Sequence, residues 1–436
     1  MTGTKKTEEK AETNAIRYKR ILEGGGVFPS EKPYAVLVLL MGLASAVLMV
    51  AMIVADVLPP DLAIILIAVI IIMLAAASML LARRKRWQRV LGLLLCLVFM
   101  TVTGSLTYYL LSSYSMLNKI SETGSFSNAE SRGAGIDPTE EAFNIYITGI
   151  DQWEDEKGLD LERSDVNMIV TVNPKTKKIL LTSIPRDTYV KLHTAQQMDK
   201  LTHTGVYGVD ETLNTVEDWL GINIDYYIKM NFTGARDVIN AMGGIDVYSP
   251  VKFKSSLKGY TYKKGWNHLN GKRALYFARE RHAFEGEDSV RVENQQRVMK
   301  AMIKKMTSSK VLLTRYGDIM SAAGDNLHTN MSYDEIRSLI KMQMSDLASW
   351  DVRSQKIEGE YDMDYVASLT QEEKFTVYRP DPVSVSNCLE AMREVKDPTR
   401  SELREAGKNR KKGFIINVID RIKNRNETEE DVEPIT

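Results

Sequence analysis

The sequence predicts an α/β extracellular domain, α-β-α layered around a central mixed β-sheet, on an N-terminal bundle of three transmembrane helices. Two observations carry the prediction. Long apolar runs fill most of residues 34–111, and strand-period runs alternate with helix-period runs after residue 138. A third observation points to chemistry: aspartates and arginines gather at the ends of the predicted strands, where loops converge.

The N-terminal residues 1–33 are polar and basic-leaning, as a cytoplasmic tail would be. Residues 34–111 hold three apolar runs, Tyr34 to Leu58, Leu62 to Leu81 and Val90 to Leu111. Each reaches the roughly 20 residues that cross a hydrocarbon core. The only charge within them is Asp56, near the end of the first. That first run is too long for a cleaved signal peptide and lacks its small-residue site. Arg83, Arg84, Lys85, Arg86 and Arg89 cluster between the second and third runs. By the positive-inside rule that loop and the tail are cytoplasmic, so the third run exits the cell. The protein is thus expected to be a multi-pass plasma-membrane protein with its large domain outside. Cytosolic ATP chemistry and nucleic-acid binding are then excluded as functions. The Ser-, Gly- and Asn-rich residues 112–137 read as a tether.

Bulk composition adds only exclusions. The chain of 436 residues has 57 basic and 57 acidic side chains, so net charge indicates no partner. Two cysteines, Cys96 and Cys388, cannot build a disulfide framework, and Cys96 lies within an apolar run. GxSxG, HExxH, Walker and Cys/His metal motifs are absent from the sequence.

The outer domain is expected over 138–396. Its first strands are Phe143 to Gly149, Val166 to Val172 and Lys178 to Ile184, with Asn173-Pro174-Lys175-Thr176 turning between the last two. Asp151 follows the first strand, Arg163-Ser164-Asp165 opens the second, and Pro185-Arg186-Asp187 closes the third. After an irregular stretch over 190–208 come a helix at Thr212 to Leu220 and a strand at Ile224 to Phe232. A helix at Phe232 to Met242 follows, closed by Gly243-Gly244, and then a strand at Ile245 to Phe253.

A second chemical stretch spans Leu269 to Gln296. Asn270-Gly271 precedes a helix ending at Arg279-Glu280-Arg281. If the chain is extended there, both arginines face one way and Glu280 the other. A polar loop over 285–288 leads to a helix beginning at Arg291, on which Gln295 shares its face. Guanidinium forks suit phosphate oxygens, at roughly 1.5–3 kcal/mol for each charged hydrogen bond. The same arginines could instead pair with Glu280, Glu285, Glu287 and Glu293 on a solvated face.

Taken together, in order and spacing, these motifs resemble the LytR-CpsA-Psr family over about residues 142–309. They are Gly149-Ile150-Asp151, Arg163-Ser164-Asp165, Pro185-Arg186-Asp187, Gly243-Gly244-Ile245-Asp246, Asn270-Gly271 with Ala274-Leu275, Arg279-Glu280-Arg281, and Asp288 to Arg291 with Gln295. The resemblance implies a Mg²⁺-dependent phosphotransferase of Gram-positive-type envelopes. Such a protein moves an anionic glycopolymer, of teichoic acid or capsular polysaccharide type, from a polyprenyl-pyrophosphate carrier to peptidoglycan. Membrane lipid is a further implied partner. By position, Asp151 and Asp165 would hold the metal, which favours a few carboxylates plus phosphate oxygens. Arg163, Arg186, Lys200, Arg279, Arg281, Arg291 and Gln295 would line the pyrophosphate. Asp151, Asp165, Arg186 and Asp187 would be catalytic, with Asp187 or Asp151 a candidate base.

The sequence departs from the family pattern in places. Thr202-His203-Thr204-Gly205 stands for Asn-Ala-Ala-Tyr, Val209 for a glycine, and Asn294 where many members have arginine. These departures leave room for a second reading, a non-catalytic lipid-linked-glycan sensor or envelope regulator. A lone histidine such as His203 is more often structural. The charged tail, 397–436, holds Phe414, Ile415, Val418, Ile419 and Ile422 at helical spacing among lysines and arginines. It reads as an amphipathic helix on a membrane or wall polymer, or as a disordered end.

Overall fold

The computed structural model describes residues 32–83, 85–123, 132–150, 164–256, 259–281, 287–324, 326–346, 348–369 and 372–410. The chain divides into two units. One holds most of the apolar N-terminal segment; the other is the large C-terminal domain.

The first unit is built from α1 (Lys32–Ala55), α2 (Pro60–Ala82) and the N-terminal part of α3 (Arg86–Thr123). All three are long and apolar enough to cross a membrane, over Tyr34–Ala55, Pro60–Ala82 and Arg86–Ser112. Large apolar side chains such as Leu39, Ile53 and Ile72 stand exposed on them, which suits a lipid surround and not water. Helix α3 continues through Thr123, into residues expected to form a tether. Leu110, Tyr114, Leu117 and Ile120 carry a helical stripe past the apolar run, which explains the extension.

The domain opens earlier than expected, too. The Arg132 guanidinium lies 2.6 Å from Glu217 and donates to the Ile224 carbonyl, so residues 132–137 belong to the domain's surface. Strands β1 (Phe143–Ile150), β2 (Ser164–Asn173) and β3 (Lys178–Ile184) follow, with bounds within two residues of those read from alternation. The irregular stretch resolves into β4 (Tyr189–Lys191), β5 (Met198–Lys200), α4 (Leu201–Thr204) and a 3-10 turn. Next come α5 (Val209–Leu220), β6 (Tyr226–Asn231), α6 (Phe232–Ala241) and β7 (Ile245–Ser249). Beyond these lie β8 (Phe253–Lys254), β9 (Thr261–Tyr262), β10 (Gly265–Leu269), α7 (Gly271–Arg279) and α8 (Glu287–Met306). The expected single strand from Ile245 to Phe253 is thus two, and α8 begins at Glu287 instead of Arg291. Acidic Glu287 and Asp288 suit the positive end of a helix dipole, which favours the earlier start. The domain ends with α9 (Ser309–Ala323), β11 (Leu327–Thr329), α10 (Tyr333–Asp346), β12 (Asp351–Lys356), β13 (Gly359–Asp364), β14 (Phe375–Pro380), α11 (Pro382–Lys396) and α12 (Arg400–Arg410). Helix α12 occupies part of the expected tail, where Glu402 pairs with Lys178 of β3. The amphipathic segment proposed at 414–422 lies outside the described residues.

The central sheet is mixed, in the order β11-β6-β1-β2-β3-β12. β1 runs parallel to β6 and antiparallel to β2; β3 runs antiparallel to β2 and parallel to β12. Alternate residues of β2 serve opposite layers. Met168, Val170 and Val172 pack toward α8 and α10, and Ile169 packs with Leu213, Val216 and Met392 of α5 and α11. This sandwich is the α-β-α layering. A further apolar cluster joins α6, α7, α8, α9 and the β7–β10 ribbon.

Helix α7 is fixed at its start. Asn270 caps it by accepting from Arg273 N at 3.0 Å. A Cβ on Gly271 would sit 2.0 Å from the Arg236 carbonyl oxygen, so only glycine lets α6 and α7 approach this closely. Gly271→Ala is expected to cost about 2–3 kcal/mol through overpacking, read as a lowered thermal midpoint.

Candidate active site

Register places the charged residues at one end of the sheet. Ile150 pairs with Ser164, with a bulge at Gly149/Ile150, and Asn231 pairs with Ile150 in parallel. Ser183 pairs with both Met168 and Lys356. The end of β1, the start of β2 and the ends of β3, β6 and β12 therefore meet on one edge. Asp165 sits at the start of β2, and Arg186 lies just past β3.

The start of β2 is held firmly. Asn167 is buried and its Oδ1 accepts from the Tyr146 hydroxyl at 2.6 Å and from the Ser164 hydroxyl. Burial pushes the Tyr146 phenol well above its ordinary pKa, so it stays a donor. Beside this anchor, Arg186 Nη1 donates to Asp165 Oδ1 at 2.6 Å. Arg186 Nε lies 3.5 Å from Asp187 Oδ2, and Lys200 Nζ lies 3.4 Å from Asp187 Oδ1. The four charges form one chain, Asp165–Arg186–Asp187–Lys200. All four side chains are largely but not wholly shielded from solvent.

Backbone pairing explains why Lys200 stands there. Thr202 N donates to the Arg186 carbonyl and Leu201 N to the Thr188 carbonyl, each at 2.8 Å. This ties α4 against the turn after Pro185. The departures from the family pattern fill their space with a polar cluster of their own. Thr202, His203 and Thr204 are buried, and Thr204 meets Thr212 hydroxyl to hydroxyl at 2.8 Å. His203 Nδ1 lies 2.7 Å from Asp199 Oδ1 and 2.8 Å from the Ser368 hydroxyl, and Ser368 N donates to Asp199 Oδ2 at 2.8 Å. His203 is thus a structural clamp.

Burial alone would raise the Asp199 pKa. The His203 ring, the Ser368 side chain and the Lys200 amide outweigh it and hold the carboxyl below its ordinary value. A depressed folded pKa contributes stability above the unfolded value of about 3.9 and loses it as pH falls through the folded value. Wild type should therefore lose more stability than Asp199→Asn between pH 5 and pH 3, measured by urea unfolding at each pH.

In the second chemical stretch the chain is helical through Arg279 and extended at Glu280. Arg279 ends α7 with its guanidinium 4.9 Å from the centre of the Phe232 ring, next to the end of β6. Glu280 turns inward at 0% exposure. It accepts from Ser256 N at 2.8 Å, the Ser256 hydroxyl at 2.9 Å and Arg281 N at 3.1 Å. Arg279 and Arg281 are half-buried. Arg291 is 4% exposed on α8, and Gln295 one turn on is half-buried. Asn294 is buried and accepts from Arg297 Nη1 at 2.8 Å.

Gln296 was not singled out by sequence. Its Nε2 donates to the Ser183 hydroxyl at 3.0 Å and to the Gln355 carbonyl, which pins α8 across the ends of β3 and β12. A signal existed: Val292, Gln296, Met299 and Ile303 form a helical stripe in which the glutamine alone is polar.

Asp151 and Arg163 lie outside the described residues, as do the side chains over 282–289. Asp165 Oδ2 has no partner among the described residues. That single oxygen is of the hard type Mg²⁺ accepts, a cation that takes one or two carboxylates and draws its remaining oxygens from phosphate and water. Among the described residues no cluster of three metal-ligating side chains occurs.

The LytR_cpsA_psr family model matches residues 107–393. A Bacillus licheniformis protein named polyisoprenyl-teichoic acid–peptidoglycan teichoic acid transferase TagU is 33% identical over 275 residues, covering 62% of this chain and 83% of the relative. A Bacillus anthracis protein of the same name is 38% identical over 202 residues, covering 46% of this chain and 64% of the relative. The crystal structure of B. subtilis TagV superposes with a TM-score of 0.48 at 31% identity, covering 60% of this chain and 99% of that one. A structure described as TagT bound to LIIa-WTA gives 0.47 at 28% identity, covering 60% of this chain and 93% of that one.

Proposed function

The chain belongs to the LytR-CpsA-Psr family, and from that premise we propose that it is a Mg²⁺-dependent phosphotransferase. It moves an anionic glycopolymer of teichoic acid type from a polyprenyl-pyrophosphate carrier to peptidoglycan. The observation that carries this reading is the Asp165–Arg186–Asp187–Lys200 chain at the sheet end where Arg279 also arrives. Teichoic acid transferases among the relatives agree with it in kind.

In the reaction, a sugar hydroxyl of peptidoglycan attacks the phosphorus that bears the saccharide. A phosphodiester forms, the P–O–P bond breaks, and polyprenyl phosphate leaves. Such transfers depend on positioning and charge neutralisation more than on covalent help. Arg163, Arg186, Lys200, Arg279, Arg281, Arg291 and Gln295 bind and orient the pyrophosphate. As the leaving group gains charge, their donors stabilise it. Asp187 lies between Arg186 and Lys200 and holds both cations toward the phosphates. Asp151 or Asp187 takes the hydroxyl proton. Asp165 and Asp151 would hold Mg²⁺, which supplies further neutralisation of phosphate charge. Three apolar helices anchor the enzyme in the plasma membrane with the domain outside, where the lipid carrier brings its own activation and no ATP is needed.

The test is to incubate the full-length protein in detergent micelles with a polyprenyl-pyrophosphate saccharide, peptidoglycan oligomers and Mg²⁺. Metal-dependent product formation, lost in Asp165→Ala, is expected. Tight lipid binding without turnover, under conditions where a TagU relative is active, would favour a glycan sensor instead.

A further inference from the structure

Next to the sheet end lies a cleft of about 670 Å³ between α8 and the β7–β10 ribbon. Tyr248 and Trp266 form one wall. They face each other across the ribbon, with ring centres 5.5 Å apart, and both point outward. Trp266 is 61% exposed and Tyr248 is 46% exposed. A cross-strand aromatic pair stabilises a ribbon, but that role does not require so much open apolar surface.

The other wall is one stripe of α8, Arg297, Lys300 and Lys304. The acids that line the cleft each have a partner, a cation for Glu293 and Glu358 and a histidine ring for Asp246. Asp246 lies 2.8 Å from His268, Glu293 lies 2.9 Å from Arg297, and Glu358 lies 3.3 Å from Lys356. Lys300 and Lys304 have no ion-pair partner among the described residues. They stand four apart, so they share a face. The cleft then runs to Gln355 and Lys356, beside Ser183 and two residues from the turn that carries Arg186.

An aromatic platform facing unpaired ammonium groups suits one ligand chemistry. Sugar rings lay their C–H faces on aromatic rings, and phosphate or carboxylate groups on the chain reach the lysines. We propose that this cleft binds an anionic saccharide chain and guides it to the phosphate site. Naming that chain as a reaction partner rests on the transferase reading. Two sources fit the chemistry: the polymer carried by the donor and the glycan strand of the acceptor.

The test is titration calorimetry on the full-length protein in detergent micelles. One arm uses lipid-free teichoic saccharide bearing phosphodiesters, and the other uses peptidoglycan fragments from muramidase digestion. Binding of the first alone assigns the cleft to the donor polymer, and binding of the second alone assigns it to the acceptor. In either arm Trp266→Ala and the pair Lys300→Gln/Lys304→Gln should weaken binding roughly tenfold each. Trp266→Phe should retain most of the affinity. All variants should bind polyprenyl pyrophosphate as the parent does, which shows that the fold and the phosphate site are intact. Saccharide binding unchanged in the variants, or absent from both arms while polyprenyl pyrophosphate binds, would overturn the cleft assignment and leave the transferase reading standing. Failure of polyprenyl pyrophosphate to bind the parent would count against the transferase itself.

Discussion

Arg186→Ala should slow glycopolymer transfer by roughly two to three orders of magnitude while the domain stays folded. Arg186 is the central member of the charge chain, reaching Asp165 at 2.6 Å and Asp187 at 3.5 Å. Its removal takes away the proposed phosphate donor and leaves two shielded carboxylates without the guanidinium between them. The electrostatic sign of the site then turns against a pyrophosphate. Arg186→Lys should recover only part of the loss, because an ammonium cannot span both carboxylates as a guanidinium fork does. The measurement is a comparison of kcat/KM for the three proteins, with thermal unfolding run alongside. A rate within threefold of wild type in Arg186→Ala would remove this residue from the mechanism.

Glu280→Ala is expected to be the most damaging single change to stability, at roughly 3–5 kcal/mol, and to lower activity as well. The carboxylate is fully buried and accepts three hydrogen bonds, two from Ser256 and one from the Arg281 amide. It fixes the extended link at Glu280 between Arg279 and Arg281. Without it, the amide and the hydroxyl of Ser256 lose their acceptor and the link between the two arginines loses its anchor. Glu280→Gln keeps the shape and loses the charge, so it should fall between the two. Chemical denaturation reports the stability term, and KM for the lipid donor reports the arginine placement. If Glu280→Ala unfolds at the wild-type denaturant concentration, the buried carboxylate is not the clamp described.

The alternation of Ile, Tyr, Val and Leu with polar residues located β1, β2 and β3, because one register slip would turn each buried face to solvent. The burial of Glu280 between two less buried arginines agrees with the same kind of alternation. Other features depend on contacts that no local pattern announces. The Asp199–His203–Ser368 cluster joins residues far apart in the chain, so His203 looked isolated in sequence. The Lys200–Asp187 pair follows from backbone bonds between α4 and the turn after β3. The extension of α3 through Thr123 was masked by composition, since four serines over 112–121 hid a sparse apolar spacing. Gln296 was overlooked beside Gln295 because the helix phase, and not the residue type, decides which of them faces the strands.

In the proposed transfer the bond broken lies between the two phosphates. The direct measurement is the mass of the lipid released when the full-length protein meets polyprenyl-pyrophosphate saccharide, peptidoglycan oligomers and Mg²⁺. Polyprenyl monophosphate, with the second phosphate found in a diester on a peptidoglycan sugar, is the predicted result. Release of polyprenyl pyrophosphate would mean that the sugar–oxygen bond had broken instead, and would contradict phosphoryl transfer at this site.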